Sequence, residues 1–279
     1  MKILITGAYG MLGSDLREVL KSHELIVTGS KDLDITDKEK VIEFICENSP
    51  EMVINAAAYT AVDDCESNYD DAYAVNAIGP CNLAIACNKL DIPLIHVSTD
   101  YVFDGLKTTP LVEDDNLGPK SAYGKTKLEG EKLIQENCEK FFILRTAWLY
   151  GVNGGNFVST MLNLSKEHDE LTVVNDQVGS PTFSLDLAKA ISELLESDKY
   201  GIYHLTNEGE CSWYEFSLDI FKAAGIDVKV RPVSTDEFPR PAPRPSYSVL
   251  SNEKWKNAGF APMRNYKEAL EEYLRMIVI

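Results

Sequence analysis

Residues 5–16 read ITGAYGMLGSDL and place Gly7, Gly10 and Gly13 at a GxxGxxG spacing, directly after an apolar run and before an amphipathic stretch. In a strand–loop–helix unit the first glycine permits a tight turn, the second lets a pyrophosphate approach the backbone, and the third lets helix and strand pack closely. Free N–H groups at the start of the helix attract phosphate. The alternative is a glycine turn without a ligand. In this context the stretch predicts a dinucleotide-binding βα unit.

The same alternation of strand and helix continues through the first half of the chain. Short apolar runs lie at Ile3–Thr6, Leu25–Thr28, Met52–Asn55, Leu94–Ser98 and Phe141–Arg145, and amphipathic stretches lie between them at about 11–21, 37–48, 70–89 and 122–138. Short continuous apolar strands are typical of a parallel sheet covered on both faces. The pattern therefore predicts an α/β fold with a Rossmann-type doubly wound parallel sheet.

Beyond residue 151 the pattern loosens, and residues 231–247 are rich in proline. We predict a dinucleotide-binding domain over 1–150 and a smaller C-terminal lobe that takes up most of 151–279. Residues 184–197 read as a further helix that returns to the first domain. The proline-rich stretch is either a disordered linker or an ordered, rigid loop; the amphipathic segment at 266–277 that follows it favours the ordered loop.

Composition excludes several classes of protein. The formal net charge of the 279 residues is −17, so the chain repels a nucleic-acid backbone, and no run of Lys and Arg offsets this. No stretch approaches the ~20 apolar residues of a membrane helix, and the first residues lack the core of a signal peptide. Six scattered cysteines without a CxxC pair favour free thiols in a reducing cytoplasm. No His or Cys spacing suggests a metal site.

The end of the second predicted strand bears on which dinucleotide binds. NAD-selective sites usually carry an acidic residue here that binds the ribose, but this chain has Gly29, Ser30 and Lys31. Ser30 and Lys31 could accept the extra phosphate of NADP. The alternative is that Lys31 is simply exposed to solvent.

A second motif lies in SAYGKTKLEGE, residues 121–131, where Tyr123 and Lys127 stand four residues apart and therefore share one face of a helix. A tyrosine that exchanges a proton near neutral pH needs its pKa lowered from ~10. Burial acts in the opposite direction, so a nearby positive charge such as Lys127 is required. The alternative is an ordinary amphipathic helix; the position before the fifth strand favours an active site.

The stretch HVSTDYVFDG, residues 96–105, supplies a third element. Thr99 ends the fourth predicted strand, where ligands bind in a doubly wound sheet, and its hydroxyl could stabilise a developing alkoxide. Thr99, Tyr123 and Lys127 would then form a catalytic triad. Asp100 either contacts sugar hydroxyls or begins a turn, and His96 is interpreted as a hydrogen-bonded core residue.

Together these motifs resemble the extended short-chain dehydrogenases/reductases and, within them, the dTDP-4-dehydrorhamnose reductase family. The matching stretches are NAAAYTAVDDCE (55–66), VSTDYVFDG (97–105), YGKTKLEGE (123–131), LRTAWLYG (144–151), VVNDQVGSPT (173–182) and RPSYSVLSNEKW (244–255). The resemblance implies a Rossmann domain for NAD(P)H and a C-terminal lobe for a dTDP-sugar. It also implies hydride transfer to the C4 ketone of dTDP-4-dehydro-L-rhamnose, a step of polysaccharide biosynthesis.

The resemblance also implies roles for single residues. Tyr123 would donate the proton, Lys127 would lower the pKa of Tyr123 and hold the nicotinamide ribose, and Thr99 would orient the ketone. The residues expected to contact the dinucleotide, besides Tyr123 and Lys127, are Gly7, Gly10, Met11, Leu12, Gly13, Ser30, Asp34, Ile35, Ala57, Ala58, Tyr59 and Val97. The residues expected to contact the sugar nucleotide are Thr99, Asp100, Trp148, Asn175, Gln177 and Arg244.

Three questions stay open at this point. Some members of the family hold Mg²⁺ between glutamates of a homodimer; here Asp15 stands at the matching position, so a homodimer is allowed but the metal is doubtful. A different nucleotide sugar, reduced or epimerised, fits the same motifs. A non-catalytic role also fits, because the regulatory β subunit of methionine adenosyltransferase resembles this family.

Overall fold

A computed structural model describes residues 1–277. The strands are β1 (Lys2–Thr6), β2 (Glu24–Thr28), β3 (Met52–Asn55), β4 (Leu94–Thr99), β5 (Phe141–Thr146), β6 (Leu149–Tyr150), β7 (Glu170–Val174), β8 (Val178–Gly179), β9 (Thr182–Phe183), β10 (Gly201–His204), β11 (Cys211–Ser212) and β12 (Lys229–Val233). The helices are α1 (Met11–Val19), α2 (Lys38–Asn48), α3 (Tyr69–Tyr73), α4 (Gly79–Leu90), α5 (Ala122–Asn137), α6 (Phe157–Leu164), α7 (Ser184–Glu193), α8 (Trp213–Ala224), α9 (Glu253–Asn257) and α10 (Tyr266–Met276).

The largest sheet has six strands in the order β10-β5-β4-β3-β1-β2, and every neighbouring pair is parallel. The strand order reverses between β1 and β3, whose ends are in register at Thr6 and Asn55. In open parallel sheets, ligands bind at such a reversal, beyond the carboxyl ends of the strands. The fold therefore directs attention to the loops that follow β1 and β3.

Helices cover both faces of this sheet, because successive residues of β1 point to opposite sides. Ile3 and Ile5 are fully buried in one core with residues of α1 and α7, whereas Leu4 is fully buried in another core with residues of α2, α4 and α5. The five predicted strands, the helices between them and the Rossmann-type sheet are confirmed. A pattern of continuous apolar runs predicted them correctly because strands buried on both faces need no polar alternation.

After residue 150 two elements of the chain return to this sheet. Helix α7 packs on α1, and β10 forms the edge next to β5. The predicted helix at 184–197 is thus present, over Ser184–Glu193. That most of residues 151–279 form a smaller separate lobe stays a prediction.

A third apolar core forms in the C-terminal part of the chain. Tyr150, Phe183, Phe216 and Tyr273 are each at most 1% exposed and pack around one another. Short strand pairs surround this core: β7 with β12, β8 with β11, and β6 with β9. Helix α10 corresponds to the amphipathic segment predicted at 266–277.

The proline-rich segment makes specific contacts with the first domain. Arg240 and Arg244 both donate to the carboxylate of Asp63, which follows β3, at 2.6–3.0 Å, and the Ala242 N–H donates to it as well. The segment is thus held by charge-assisted hydrogen bonds.

Three observations bear on composition. All six cysteines are free, four of them buried. Among residues 1–277 no helix is both long and apolar enough to cross a membrane. In the same range, His, Cys, Asp and Glu side chains form no cluster of three that could ligate a metal ion.

Candidate active site

The glycine loop fits a phosphate group. Gly7 has a positive φ of 67°, and a Cβ there would lie 2.6 Å from the Ala57 backbone nitrogen. A Cβ on Gly13 would lie 2.2 Å from the Gly7 carbonyl oxygen, so helix α1 packs tightly on the loop. Gly10 differs, because its nearest neighbour would be 3.4 Å away, and no side chain caps α1 there. The open side at Gly10 and the uncapped helix start form the cradle that a pyrophosphate requires.

A cleft of about 610 Å³ begins at this loop and runs over the end of β2. The residues that line it and were predicted to contact the dinucleotide are Gly7, Gly10, Ser30, Asp34, Ile35, Ala57 and Ala58. Lys31 and Asp32 line it as well, and Asp32 Oδ2 accepts a hydrogen bond from the Gly29 N–H at 2.9 Å. The Asp32 carboxylate, just after β2, is therefore hydrogen-bonded within the turn.

A second cleft of about 470 Å³ shares Gly10, Ala56 and Ala58 with the first, so that the two are continuous. Its lining includes Met11, Leu12, Val97, Thr99, Asp100, Tyr123, Lys127 and Trp148. One continuous groove therefore leads from the end of β2, past the glycine loop, to the three residues predicted as a triad.

Tyr123 and Lys127 are held by helix α5. Ser121 caps this helix by accepting a hydrogen bond from the Gly124 N–H at 3.1 Å. Tyr123 is 9% exposed and packs edge-on against Tyr101, with ring centroids 5.5 Å apart. Burial raises the pKa of Tyr123 above its ordinary value, and the hydroxyl of Thr99 acts in the opposite direction. The phenol is therefore protonated at neutral pH.

Lys127 is 1% exposed. Its Nζ lies 2.7 Å from the Val97 carbonyl oxygen and 3.1 Å from Nε2 of His96. Burial lowers the pKa of Lys127 to about 8, opposed by the carboxylate of Glu131. His96 is thus a hydrogen-bonded core residue, as interpreted from the sequence, but its partner is the lysine of the site.

Thr99 and Asp100 adjoin at the end of β4. The Thr99 hydroxyl donates to Asp100 Oδ1 at 2.9 Å. Burial raises the pKa of Asp100 to about 6. Asp100 Oδ2 and the hydroxyl of Thr146, which also lines the groove, are buried without a hydrogen bond of good geometry among residues 1–277, although the Ser248 hydroxyl lies near the Asp100 carboxylate and acts to lower its pKa. Buried polar atoms of this kind are available to a polar ligand.

Trp148 lies on the far wall of the groove. It has a positive φ of 49°, which is strained for a bulky residue, and its ring stacks on Trp213 with centroids 3.4 Å apart. A Cβ on Gly179 would lie 2.5 Å from the Trp148 ring. The glycine and the stacking partner together hold the indole in this orientation.

Other predicted substrate residues lie outside the groove lining. Asn175 accepts a hydrogen bond from the Ser212 hydroxyl at 2.8 Å, and Gln177 donates to the Thr235 hydroxyl at 2.9 Å. Arg244 borders a separate small cavity behind Tyr101. Gly13 and Tyr59 also lie outside the lining: Gly13 packs against the loop, and Tyr59 donates its hydroxyl to Asp64.

The sequence reasoning missed some residues of the site. Asn55 ends β3, is fully buried and hydrogen-bonds His96, and Tyr101 covers one edge of Tyr123. Asp63 holds the proline-rich segment. A polar residue at the end of an apolar strand was the available signal for Asn55; no sequence signal paired Asp63 with arginines about 180 positions later.

Several known proteins are similar to this chain over most of its length. The family model described as the RmlD substrate binding domain matches residues 1–279. The spore coat polysaccharide biosynthesis protein SpsK of Bacillus subtilis is 45% identical over 98% of this chain and 97% of its own length.

Two solved structures are similar over almost their whole length. A dTDP-4-dehydrorhamnose reductase from Clostridium acetobutylicum is 51% identical, with a TM-score of 0.98 over 100% of both chains. A dTDP-4-dehydrorhamnose reductase from Bacillus anthracis, solved in complex with NADP, is 42% identical, with a TM-score of 0.96 over 99% of both chains.

Proposed function

This chain belongs to the dTDP-4-dehydrorhamnose reductase family of the extended short-chain dehydrogenases/reductases, and we propose that it reduces the C4 ketone of dTDP-4-dehydro-L-rhamnose with NAD(P)H. The product is dTDP-L-rhamnose, a precursor for polysaccharide biosynthesis. The observation that carries the proposal is the continuous groove, which joins a phosphate cradle at Gly10 to the buried Thr99, Tyr123 and Lys127.

The residues of the groove suit a reduction. A dinucleotide bound in the groove would supply the hydride for the carbonyl carbon. The Thr99 hydroxyl would orient the carbonyl oxygen, and Tyr123 would then give its proton to the alkoxide that forms there. Because burial raises the pKa of Tyr123, the phenol carries this proton at neutral pH. Lys127 would hold the nicotinamide ribose, and Trp148 would pack on the sugar.

The experiment is to follow oxidation of NADPH and of NADH by the purified protein with dTDP-4-dehydro-L-rhamnose. Tyr123→Phe removes the acid, and Tyr203→Phe is the matched control, because Tyr203 is a buried tyrosine outside the groove whose hydroxyl donates to the Lys199 carbonyl. We expect Tyr123→Phe to lose at least 100-fold in kcat while the control retains activity.

The outcomes separate the rival functions. If dinucleotide binds but is not oxidised with this sugar and is oxidised with another nucleotide 4-ketosugar, the reductase acts on a different substrate. If it binds and no ketosugar is reduced, a regulatory role replaces the catalytic one.

For the dinucleotide we propose a preference for NADPH. Ser30 and Lys31 line the groove beyond β2, while the carboxylate of Asp32 accepts a hydrogen bond from the turn. A hydroxyl and an ammonium group suit a 2′-phosphate. Lys31→Ala should raise KM for NADPH several-fold and leave KM for NADH unchanged. Lys38→Ala, an exposed lysine outside the groove lining, should change neither.

Two further expectations from the sequence stay predictions. A homodimer is tested by sedimentation equilibrium of the full chain. A cytoplasmic location agrees with the six free thiols and is tested by fractionation.

A further inference from the structure

Tyr9 stands in the glycine loop, between Gly7 and Gly10, where the dinucleotide cleft begins. Its side chain is 59% exposed and lines the cleft of about 610 Å³ that runs over the end of β2. Large aromatic side chains in a cleft supply contact area to a ligand. The position of this ring therefore bears on which dinucleotide the cleft accepts.

The Tyr9 ring lies against Gly29, the first residue after β2. A Cβ on Gly29 would lie 2.8 Å from Cδ2 and 3.2 Å from Cε2 of the ring, closer than ordinary contact between carbon atoms. Gly29 is not among the glycines with a positive φ, so its backbone does not require glycine. What the missing side chain provides is space, and the ring of Tyr9 occupies it.

Two contacts hold the ring in this place. The Ala8 N–H donates to the Thr28 carbonyl at 3.0 Å, which ties the backbone next to Tyr9 to the end of β2. The guanidinium of Arg17, on α1, lies over the ring, 5.4 Å from its centroid. A cation over an aromatic face stabilises the arrangement, and here it also brings positive charge to this end of the cleft.

The carboxylates that line this end of the cleft each hold a turn. Asp32 Oδ2 accepts from the Gly29 N–H at 2.9 Å, and Asp34 Oδ1 accepts from the N–H and the hydroxyl of Thr36 at 3.0 and 2.8 Å. A site selective for NAD uses a carboxylate here to bind the ribose 2′-hydroxyl, whereas an arginine accommodates the 2′-phosphate of NADP. The cations at this end, Lys31 and Arg17, suit the phosphate.

We propose that Tyr9 determines the selectivity for NADPH. Its ring occupies the space that an acidic side chain at position 29 would need, and it holds the guanidinium of Arg17 at this end of the cleft. This proposal deepens the proposed preference for NADPH and rests on it. The competing role for Tyr9 is a platform on which adenine stacks. Adenine is common to both dinucleotides, so a platform would serve NADPH and NADH equally.

The first experiment measures the dissociation constants of NADPH and NADH for the full chain by isothermal titration calorimetry, without a sugar nucleotide. In Tyr9→Ala we expect the dissociation constant for NADPH to rise about fivefold or more and that for NADH to stay within about twofold. Tyr69→Ala is the matched control, because Tyr69 is a 42% exposed tyrosine outside the cleft lining, and it should change neither constant. Equal weakening of both dinucleotides, or no change in either, would overturn the proposal.

The second experiment tests the space beside Gly29. In Gly29→Asp the new side chain meets the ring, so we expect weaker binding of NADPH and no gain for NADH. In Gly29→Asp/Tyr9→Ala the space is free, and NADH should bind about tenfold tighter than in the single variant. A single variant that binds NADH as tightly as the double variant would show that the ring is no obstacle, and the proposal would fail. Should Gly29→Asp not fold, as judged by its melting temperature, the exposed change Tyr9→Ala decides alone.

The third experiment tests the pairing of ring and cation. Arg17→Gln should weaken NADPH binding about fivefold or more and leave NADH binding unchanged. Lys21→Gln is its control, because Lys21 is an exposed lysine paired with Glu18 at 2.5 Å, and it should change neither. The double variant Tyr9→Ala/Arg17→Gln should lose no more than the larger single loss, since the two groups act as one unit. Additive losses would contradict this pairing.

These measurements distinguish failure of this proposal from failure of the proposed cofactor preference. A wild type that binds NADH as tightly as NADPH would refute the preference for NADPH and this proposal with it. A wild type that prefers NADPH, by a ratio that Tyr9→Ala leaves unchanged, would refute the role of Tyr9 alone. Binding is measured without a ketosugar, so neither result depends on the reductase activity.

Discussion

Replacing Glu131 by leucine should destabilise the protein by about 3–5 kcal/mol, because the change leaves a buried arginine without its counter-charge. Glu131 is fully buried and Arg145 is 1% exposed. Glu131 accepts from Arg145 Nη2 at 2.7 Å and Nε at 3.0 Å, and from the Ser98 hydroxyl at 2.5 Å. After the change the one hydrogen bond left to Arg145 within residues 1–277 is that from Nη1 to the Glu113 carbonyl, at 3.2 Å.

The matched variants complete a double-mutant cycle. Arg145→Met leaves the carboxylate uncompensated and should cost a similar amount. The double variant Glu131→Leu/Arg145→Met removes both charges and keeps apolar volume, so we expect it to cost no more than about 2 kcal/mol. The coupling free energy between the two positions is then at least about 4 kcal/mol.

Equilibrium unfolding in urea, with fluorescence and circular dichroism as separate probes, measures all four proteins. A total stability of about 5–15 kcal/mol leaves room to resolve these differences. Single variants that each lose less than about 1 kcal/mol, or four stabilities that add without coupling, would refute the argument that the pair is a mutually dependent buried unit.

Three further changes follow from the same structure. Gly10→Ala should preserve thermal stability, since its Cβ would lie 3.4 Å from the nearest atom, yet it should weaken dinucleotide binding at least tenfold. Gly13→Ala should lower the melting temperature, because its Cβ would lie 2.2 Å from the Gly7 carbonyl oxygen. The folded-state pKa of Asp100 is raised from 3.8 to about 6, so the stability that its protonated form contributes is greatest below pH 3.8 and is lost as the pH rises through about 6. Between these pH values the wild type should lose up to about 3 kcal/mol of unfolding free energy relative to Asp100→Asn, as measured by urea unfolding. Trp213→Leu removes the stacking partner of Trp148 and should raise KM for the sugar nucleotide more than it lowers kcat, in steady-state assays.

Three outcomes would contradict these expectations. They are unchanged dinucleotide binding in Gly10→Ala, parallel pH–stability curves for the wild type and Asp100→Asn, and a Trp213→Leu variant that loses kcat alone.

The central sheet was predictable because its strands are buried on both faces and bounded by helices, so local composition already reports their environment. The glycine loop, Thr99, Tyr123 and Lys127 were predictable as candidates because each follows a strand or opens a helix at a spacing with a chemical reason. The groove then joined Thr99, Tyr123 and Lys127 into one site.

The remainder depends on contacts between distant positions, which a single sequence does not encode in any local pattern. Asp63 meets Arg240 and Arg244 across more than 170 residues. Strand β10 pairs with β5, which lies much earlier in the chain, and no local pattern in either strand specifies that pairing. The partner of His96 was likewise out of reach, because a histidine in an apolar strand reads as a core residue until its neighbour on α5 is known.

Burial in the groove disfavours the charged form of Tyr123, Asp100 and Lys127 alike. It raises the pKa of Tyr123, raises that of Asp100 to about 6 and lowers that of Lys127 to about 8, so at neutral pH the phenol is protonated while Asp100 and Lys127 are mostly charged. Reduction of a ketone creates a negative oxygen in this environment. Protonation by Tyr123 removes that charge from the substrate and leaves it on the phenolate, which an adjacent cation can then stabilise. Lys127, whose pKa is about 8, is mostly protonated at neutral pH and can supply that positive charge. The site therefore meets the negative charge that hydride transfer brings with the proton of Tyr123 and the positive charge of Lys127.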